Sequence, residues 1–91
     1  MIMNFFDSLT EILFQEGQHP RVAADVYLPV RKGLSKLHYA TDLQDLRFPR
    51  AERVFLDKPP HRYGFWFYHQ YCLTFDWYEG QAHNVRFEDR R

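Results

Sequence analysis

One cysteine in 91 residues, Cys72, leaves no internal disulfide and no thiolate-rich metal site, so nothing in the chain argues for secretion or a zinc-stabilised fold. Long apolar runs are absent too. No segment approaches membrane-spanning length, and the N-terminal MIMNFFDSL has neither a basic n-region nor an extended apolar stretch. Net charge is zero, from 12 basic and 12 acidic residues, which removes any global pointer to nucleic acid or membrane. Repeats, low-complexity tracts and linkers are lacking as well. A single soluble cytoplasmic domain over residues 1–91, without a membrane partner, is the expectation.

Aromatic residues, by contrast, are plentiful. Nine Phe, six Tyr and two Trp make 19% of the chain, within a hydrophobic fraction of 45%. That rules against disorder and exceeds what so small a core usually holds, so some rings belong at the surface or an interface. Charge is unevenly spread: residues 1–46 carry four basic and six acidic groups, residues 47–91 eight basic and six acidic. An anionic ligand would sit more naturally against the second half.

Hydrophobic periodicity divides the chain in two. MIMNFF reads as a short strand, and DSLTEILFQEG as a helix with a Ser8/Glu11 capping box, a Leu9–Ile12–Leu13 face and Gly17 as its stop. Val26, Val30, Leu34 and Leu37 recur at helical spacing, with Pro29 marking a start or a kink and Gly33 a close packing contact. Thr41 and Gln44 form a second capping-box pattern in TDLQDL. From Glu52 the texture turns to strand: ERVFL, then YGFWFY and YCLTFDW joined by His69–Gln70, then AHNVRFED after a turn at Gly80. Three successive strands joined by tight turns make a meander. The expected class is α+β, in the order β-α-α-β-β-β, with two helices on one face of a curved antiparallel sheet. Leu73, Phe75, Val85 and Phe87 then face the helices; Cys72, Thr74, Asp76, Asn84 and Arg86 share the open face, where a site belongs.

The stretches ATDLQDLRFPRAERVFLDK and YGFWFYHQYCLTFDWYEGQAHNVRFED resemble the HigB branch of the RelE/ParE toxin superfamily, the plasmid-maintenance killer proteins. The resemblance runs through Ala40, Leu43, Asp45, Leu46, Arg53, Gln70, Tyr71, Leu73, Phe75, Trp77, Gly80, Ala82, Val85 and Asp89, and TEILFQEG is similar to the family's first helix. It implies a RelE-like fold and a toxin of a type II toxin–antitoxin system. Such a toxin is an endoribonuclease that cleaves mRNA on the ribosome without metal or other cofactor. Its implied partner is a helix-turn-helix antitoxin of the HigA kind, through which alone it would meet operator DNA. Against the family pattern, the strand arginine falls on Cys72, the C-terminal Tyr-His on Arg90 and Arg91, and a polar strand position on Phe55. The second reading implied is a catalytically weakened homologue that keeps the fold and binds the antitoxin as a regulatory partner.

Each candidate residue has a plainer explanation beside the functional one. For Arg86, Arg90 and Arg91 it is a solvated tail neutralised by Glu88 and Asp89; the resemblance makes Arg90 and Arg91 catalytic cations and Arg86 an RNA contact. Asp89 is either an ion-pair partner or a catalytic carboxylate, and Arg53 either an edge-strand charge or a catalytic cation. His61, Arg62 and Tyr78 are candidates for RNA contact through charge and stacking, set against loop exposure and core packing. The five histidines are scattered, with no metal-ligand spacing, and His83 reads as a packed residue on the apolar side of its strand. Cys72 reads as an inert strand residue.

Overall fold

The structure, a computed structural model, describes residues 1–43, 45, 54–68 and 70–90. Helix α1 spans Ser8–Glu16 and ends where Gly17 takes a left-handed φ of 76°. Its cap is Asp7, not Ser8: the extended Asp7 accepts from Thr10 N at 2.9 Å and from the Thr10 hydroxyl at 2.6 Å. Aspartate is as good an N-cap as serine, and the helix takes the earlier of two adjacent capping residues. The buried Thr10 Oγ1 in turn accepts from Phe87 N at 2.9 Å, so the first turn is fixed to the last strand by a partly buried hydrogen bond.

A 3-10 turn, Ala24–Val26, leads into α2, Tyr27–Tyr39. Pro29 is the third residue of α2, where an N–H has no intrahelical acceptor to lose, so the proline is accommodated in the first turn of the helix. Val30, Gly33, Leu34 and Leu37 form its buried face. At Gly33 a Cβ would lie 3.1 Å from Leu73 Cδ1 and 3.5 Å from Phe65, the close approach that the glycine allows. Of the second expected capping box, Gln44 lies outside the described residues. Thr41 instead donates both N–H (2.8 Å) and Oγ1 (2.9 Å) to Asp45 Oδ2, which holds that carboxyl below the usual carboxylate range.

The sheet is an antiparallel meander of β1 (Val54–Lys58), β2 (Arg62–Tyr68), β3 (Tyr71–Tyr78) and β4 (Gln81–Asp89), in that spatial order. The expected meander of three strands thus has four. The expected N-terminal strand is reduced to two parallel bridges along β4, Ile2 with Ala82 and Phe5 with Val85. Between β3 and β4, Glu79 and Gly80 both have positive φ (56° and 71°), as the two-residue turn that matches strand twist requires. One irregularity matters for the site. Thr74 pairs with Arg86 but Asp76 with His83, so β4 carries an extra residue, and Asn84 absorbs it at φ 52°.

Leu13, Val26, Val30, Leu34 and Leu37 meet Phe65, Leu73, Phe75, Ala82 and Val85 in one core on the helix side of the sheet. Each large side chain buried there contributes about 2 kcal/mol, so this layer carries the fold. The opposite face carries charged and hydroxyl side chains together with the aromatic rings of Phe55 and Trp66.

Candidate functional site

The strand registers place Phe55 beside Gly64, Trp66 beside Cys72, Gly64 beside Thr74 and Arg62 beside Asp76. On β4, Glu88 pairs with Cys72 and Arg86 with Thr74. By the two-residue period of a strand, these residues share the face away from the helices. At Gly64 a Cβ would stand 2.7 Å from Phe55 Cζ, so the missing side chain lets the Phe55 ring lie across the middle of the sheet. Phe55 stacks on Trp66 with ring centroids 5.6 Å apart.

Arg90 follows β4, and its N–H is held by Gln70 O at 2.8 Å. Its side chain crosses the open face. Nη1 reaches Asp57 Oδ1 of β1 at 3.0 Å, Nε donates to Glu88 Oε1 at 3.1 Å, and the guanidinium lies 5.7 Å from the centre of the Phe55 ring. For one side chain to join β4 to β1, three strand steps away, the sheet must be cupped toward this face. The buried Cys72 lies beside this bridge, since Glu88 is its register partner. Burial pushes the Cys72 thiol up to about 11, outweighing the opposite pull of Arg90. The thiol is therefore protonated and inert. Arg90 is held further into its charged form by Asp57 and Glu88.

A polar relay continues along the face. The buried Thr74 hydroxyl donates to Glu88 Oε2 at 2.5 Å and accepts from Arg62 Nη2 at 2.9 Å. Arg62 Nη1 donates to Asn84 O at 2.9 Å and lies 3.5 Å from Asp76 Oδ1; Asn84 Nδ2 donates to Asp76 Oδ2 at 2.9 Å. Burial alone would raise the Glu88 carboxyl, but the bonds from Thr74 and Arg90 outweigh it and hold the group below its ordinary value. Two arginines on this face, Arg62 and Arg90, thus stand among three carboxylates, Asp57, Asp76 and Glu88.

At the far end of the relay the aromatic candidates gather. Tyr78, 43% exposed, meets His61 edge to face at 5.3 Å and stacks flat on His83 at 4.0 Å. His83 therefore lies with Tyr78 on the open side, and not on the apolar side that strict alternation assigned to it. The extra residue at Asn84 reverses the alternation beyond that point. His83 Nε2 is buried without a hydrogen-bond partner.

His61, Arg62 and Tyr78 are thus brought together, and Arg90 joins them through the relay at the Cys72 end. Arg86 sits at the β4 edge, 3.8 Å from Asp7 and stacked 4.7 Å from the Phe6 ring. By strand alternation Asp89 faces the side opposite to Glu88. It pairs with Tyr71 on the helix side, where both line a cleft with Asp7, Leu9, Arg21 and Phe87. Arg53 and Arg91 lie outside the described residues. The sequence assigns no site role to Asp57, Glu88 or Phe55, which hold Arg90. The signal was present in the two-residue period of β1 and β4, but which long side chain crosses a cupped sheet is not a periodic property.

Chemically, the face offers fixed guanidinium donors and paired carboxylates, with histidine, among the described residues, only at the Tyr78 end. Among the described residues no group of three His, Cys, Asp or Glu side chains is placed to hold a metal ion, and no helix is long and apolar enough to cross a membrane. Compared with known proteins, the chain is matched by no family model and by no curated protein.

Proposed function

We propose that this chain is a toxin of a type II toxin–antitoxin system, of the HigB kind with a RelE-like fold. It acts in the cytoplasm on ribosome-bound mRNA and is neutralised by a helix-turn-helix antitoxin. The observation that carries the reading is the position of Arg90. Where the family resemblance asks for a strand arginine at Cys72, a guanidinium arrives from the C-terminal end and lies against the same part of the open face. The arrangement of two helices on one side of a cupped sheet, with a face bearing Arg62 and Arg90 on the other, supports it as well.

In the proposed reaction the 2′-oxygen of one nucleotide attacks the adjoining phosphorus and loses its proton to a base. The 5′-oxygen leaves with a proton, and a 2′,3′-cyclic phosphate and a 5′-hydroxyl result. Arg62 and Arg90 would stabilise the extra negative charge on the pentavalent phosphorus. A guanidinium contributes charge and donors rather than acid–base catalysis, so this part of the face supplies electrostatic stabilisation. The missing proton transfer is worth about 10²–10⁴ in rate, so slow cleavage is expected.

One observation favours the second reading, a weakened homologue acting through its antitoxin partner: Asp57, Asp76 and Glu88 already occupy Arg62 and Arg90. An incoming phosphate must displace them. Expression of the chain alone in a bacterium, with 5′ ends of cellular mRNA mapped, separates the two. New ends within coding sequences and growth arrest support the toxin; a folded, soluble chain producing neither overturns it.

A further inference from the structure

The two helices lie side by side and carry opposite charge. Helix α1 holds Glu11 and Glu16 and no basic residue, whereas α2 holds Arg31, Lys32 and Lys36 and no acidic one. All of these are exposed except Lys36, which is half-buried. Among the described residues the side chains of Glu16, Arg31, Lys32 and Lys36 have no hydrogen-bond or ion-pair partner, and Glu11 has only a 3.4 Å bond from Gln15. The flanking charges Arg21 and Asp25 stand beyond the helix ends. The helices run antiparallel: a Cβ on Gly17, after α1, would lie 2.9 Å from Arg31 Cδ, while Phe14 meets the ring of His38 at 5.2 Å. Glu16 therefore stands close to the height of Lys32, and Glu11 close to that of Lys36. The axial spacings agree, at about 7.5 Å between the glutamates and about 6 Å between the lysines.

We propose that this helix layer is the interface of a homodimer, in which α1 of each chain lies over α2 of a second copy. A twofold axis running along the helices, midway between them, stacks the layers in that way without changing the height of any residue. Glu16 then meets Lys32 of the second copy, with Arg31 beside it, and Glu11 meets Lys36; each contact is made twice. A second copy fits better than an acidic protein or a nucleic-acid strand, because an anion laid on α2 would be repelled by α1 at its side. Leu28, 59% exposed on α2, supplies apolar contact. In the same register it lies over Pro20 of the second copy, at an open cleft of about 520 Å³ that Ile12 and Tyr27 also line. Helix α2 is only about 20 Å long, so the interface is small and the dimer weak and sensitive to salt. The proposal uses neither Arg62 nor Arg90 and is independent of the toxin reading; the open face of the sheet stays accessible in the dimer.

Sedimentation velocity of the purified chain should show a monomer–dimer equilibrium in the micromolar range, weakened about tenfold between about 50 mM and about 500 mM salt. Two charge-reversed chains locate the contact: Glu11→Lys with Glu16→Lys, and Lys32→Glu with Lys36→Glu. Each alone, checked for folding by circular dichroism, should be monomeric, because like charges then face each other. Mixed in equal amounts they should form a heterodimer, in which the paired positions again carry opposite charges. The single reversals Glu16→Lys and Lys32→Glu give the same readout where a double variant does not fold. Leu28→Ala should weaken the native dimer about tenfold. A native chain that stays monomeric, a dimer indifferent to salt or to Leu28→Ala, reversed chains that dimerise alone, or a mixture that does not associate would overturn the proposal.

Discussion

Arg90 Nη1 lies 3.0 Å from Asp57 Oδ1, so a residue beyond the last strand is tied to the first strand of the same meander. The contact shapes the open face, because it holds a guanidinium over Phe55 and beside Glu88, the register partner of Cys72. If Arg90 stands in for an arginine at position 72, the two side chains compete for one place.

A double-variant cycle measures that competition. Cys72→Arg puts a long cation at a buried position already served by Arg90 and should destabilise the fold by about 3 kcal/mol. Arg90→Ala alone, removing a partly exposed pair of ion contacts, should cost about 1 kcal/mol. In the combined variant the losses should fall short of additive by about 1 kcal/mol or more, read by urea denaturation. Additive losses would mean that the two positions do not share a site.

The raised thiol of Cys72 makes its own prediction. At pH 8 iodoacetamide should leave the folded chain unmodified, and mass spectrometry should find full labelling only in denaturant. In Arg90→Ala the thiol stays buried and labelling should remain slow. Rapid labelling of the native chain would show that Cys72 is not beneath the Glu88–Arg90 pair.

Glu88 gives the fold a defined acid sensitivity. Its folded value is lowered by Thr74 and Arg90 against the opposing effect of burial, so the unfolded chain takes up the proton first as pH falls. The stabilisation is complete above the ordinary glutamate value of 4.5 and is lost as pH drops through the lowered folded value. Glu88→Gln should cost about 1–2 kcal/mol at neutral pH and shrink that acid-dependent loss. Thermal melts between pH 3 and 7 read both effects.

Gly64→Ala tests how closely the open face is packed. The new methyl would meet Phe55 Cζ at 2.7 Å and the Leu73 carbonyl oxygen at 3.2 Å, so the ring must move. A loss of about 1–3 kcal/mol is expected, together with a change in the Trp66 fluorescence that reports its stacking on Phe55. Unchanged stability and emission would show that Phe55 does not lie over Gly64.

Most of the architecture was legible in the chain because periodicity and turn chemistry are local. Gly17 and Gly80 stop α1 and turn the last hairpin, and the Val26–Leu37 pattern predicts the buried face of α2. Three features escaped for physical reasons. Nothing in NVRF announces that Asn84 will take a positive φ, and that one residue moves His83 to the open side beside Tyr78. Alternation also separates Asp89 from Arg90, which a view of the C-terminus as one charged tail obscures; Arg90 crosses the sheet while Asp89 enters the helix-side cleft. The long-range pairing of Arg90 with Asp57 depends on sheet curvature, and no local pattern encodes it.

The most direct test of the account is cleavage of a defined mRNA on purified ribosomes by the purified chain, with an all-ribose message and one carrying 2′-deoxyribose at the cut nucleotide. The account predicts slow, metal-independent cleavage of the ribose message, leaving a 2′,3′-cyclic phosphate, no cut in the deoxy message, and a further loss of rate in Arg90→Ala. An intact ribose message after prolonged incubation with the folded chain, or cleavage that ignores the 2′-hydroxyl, would contradict it.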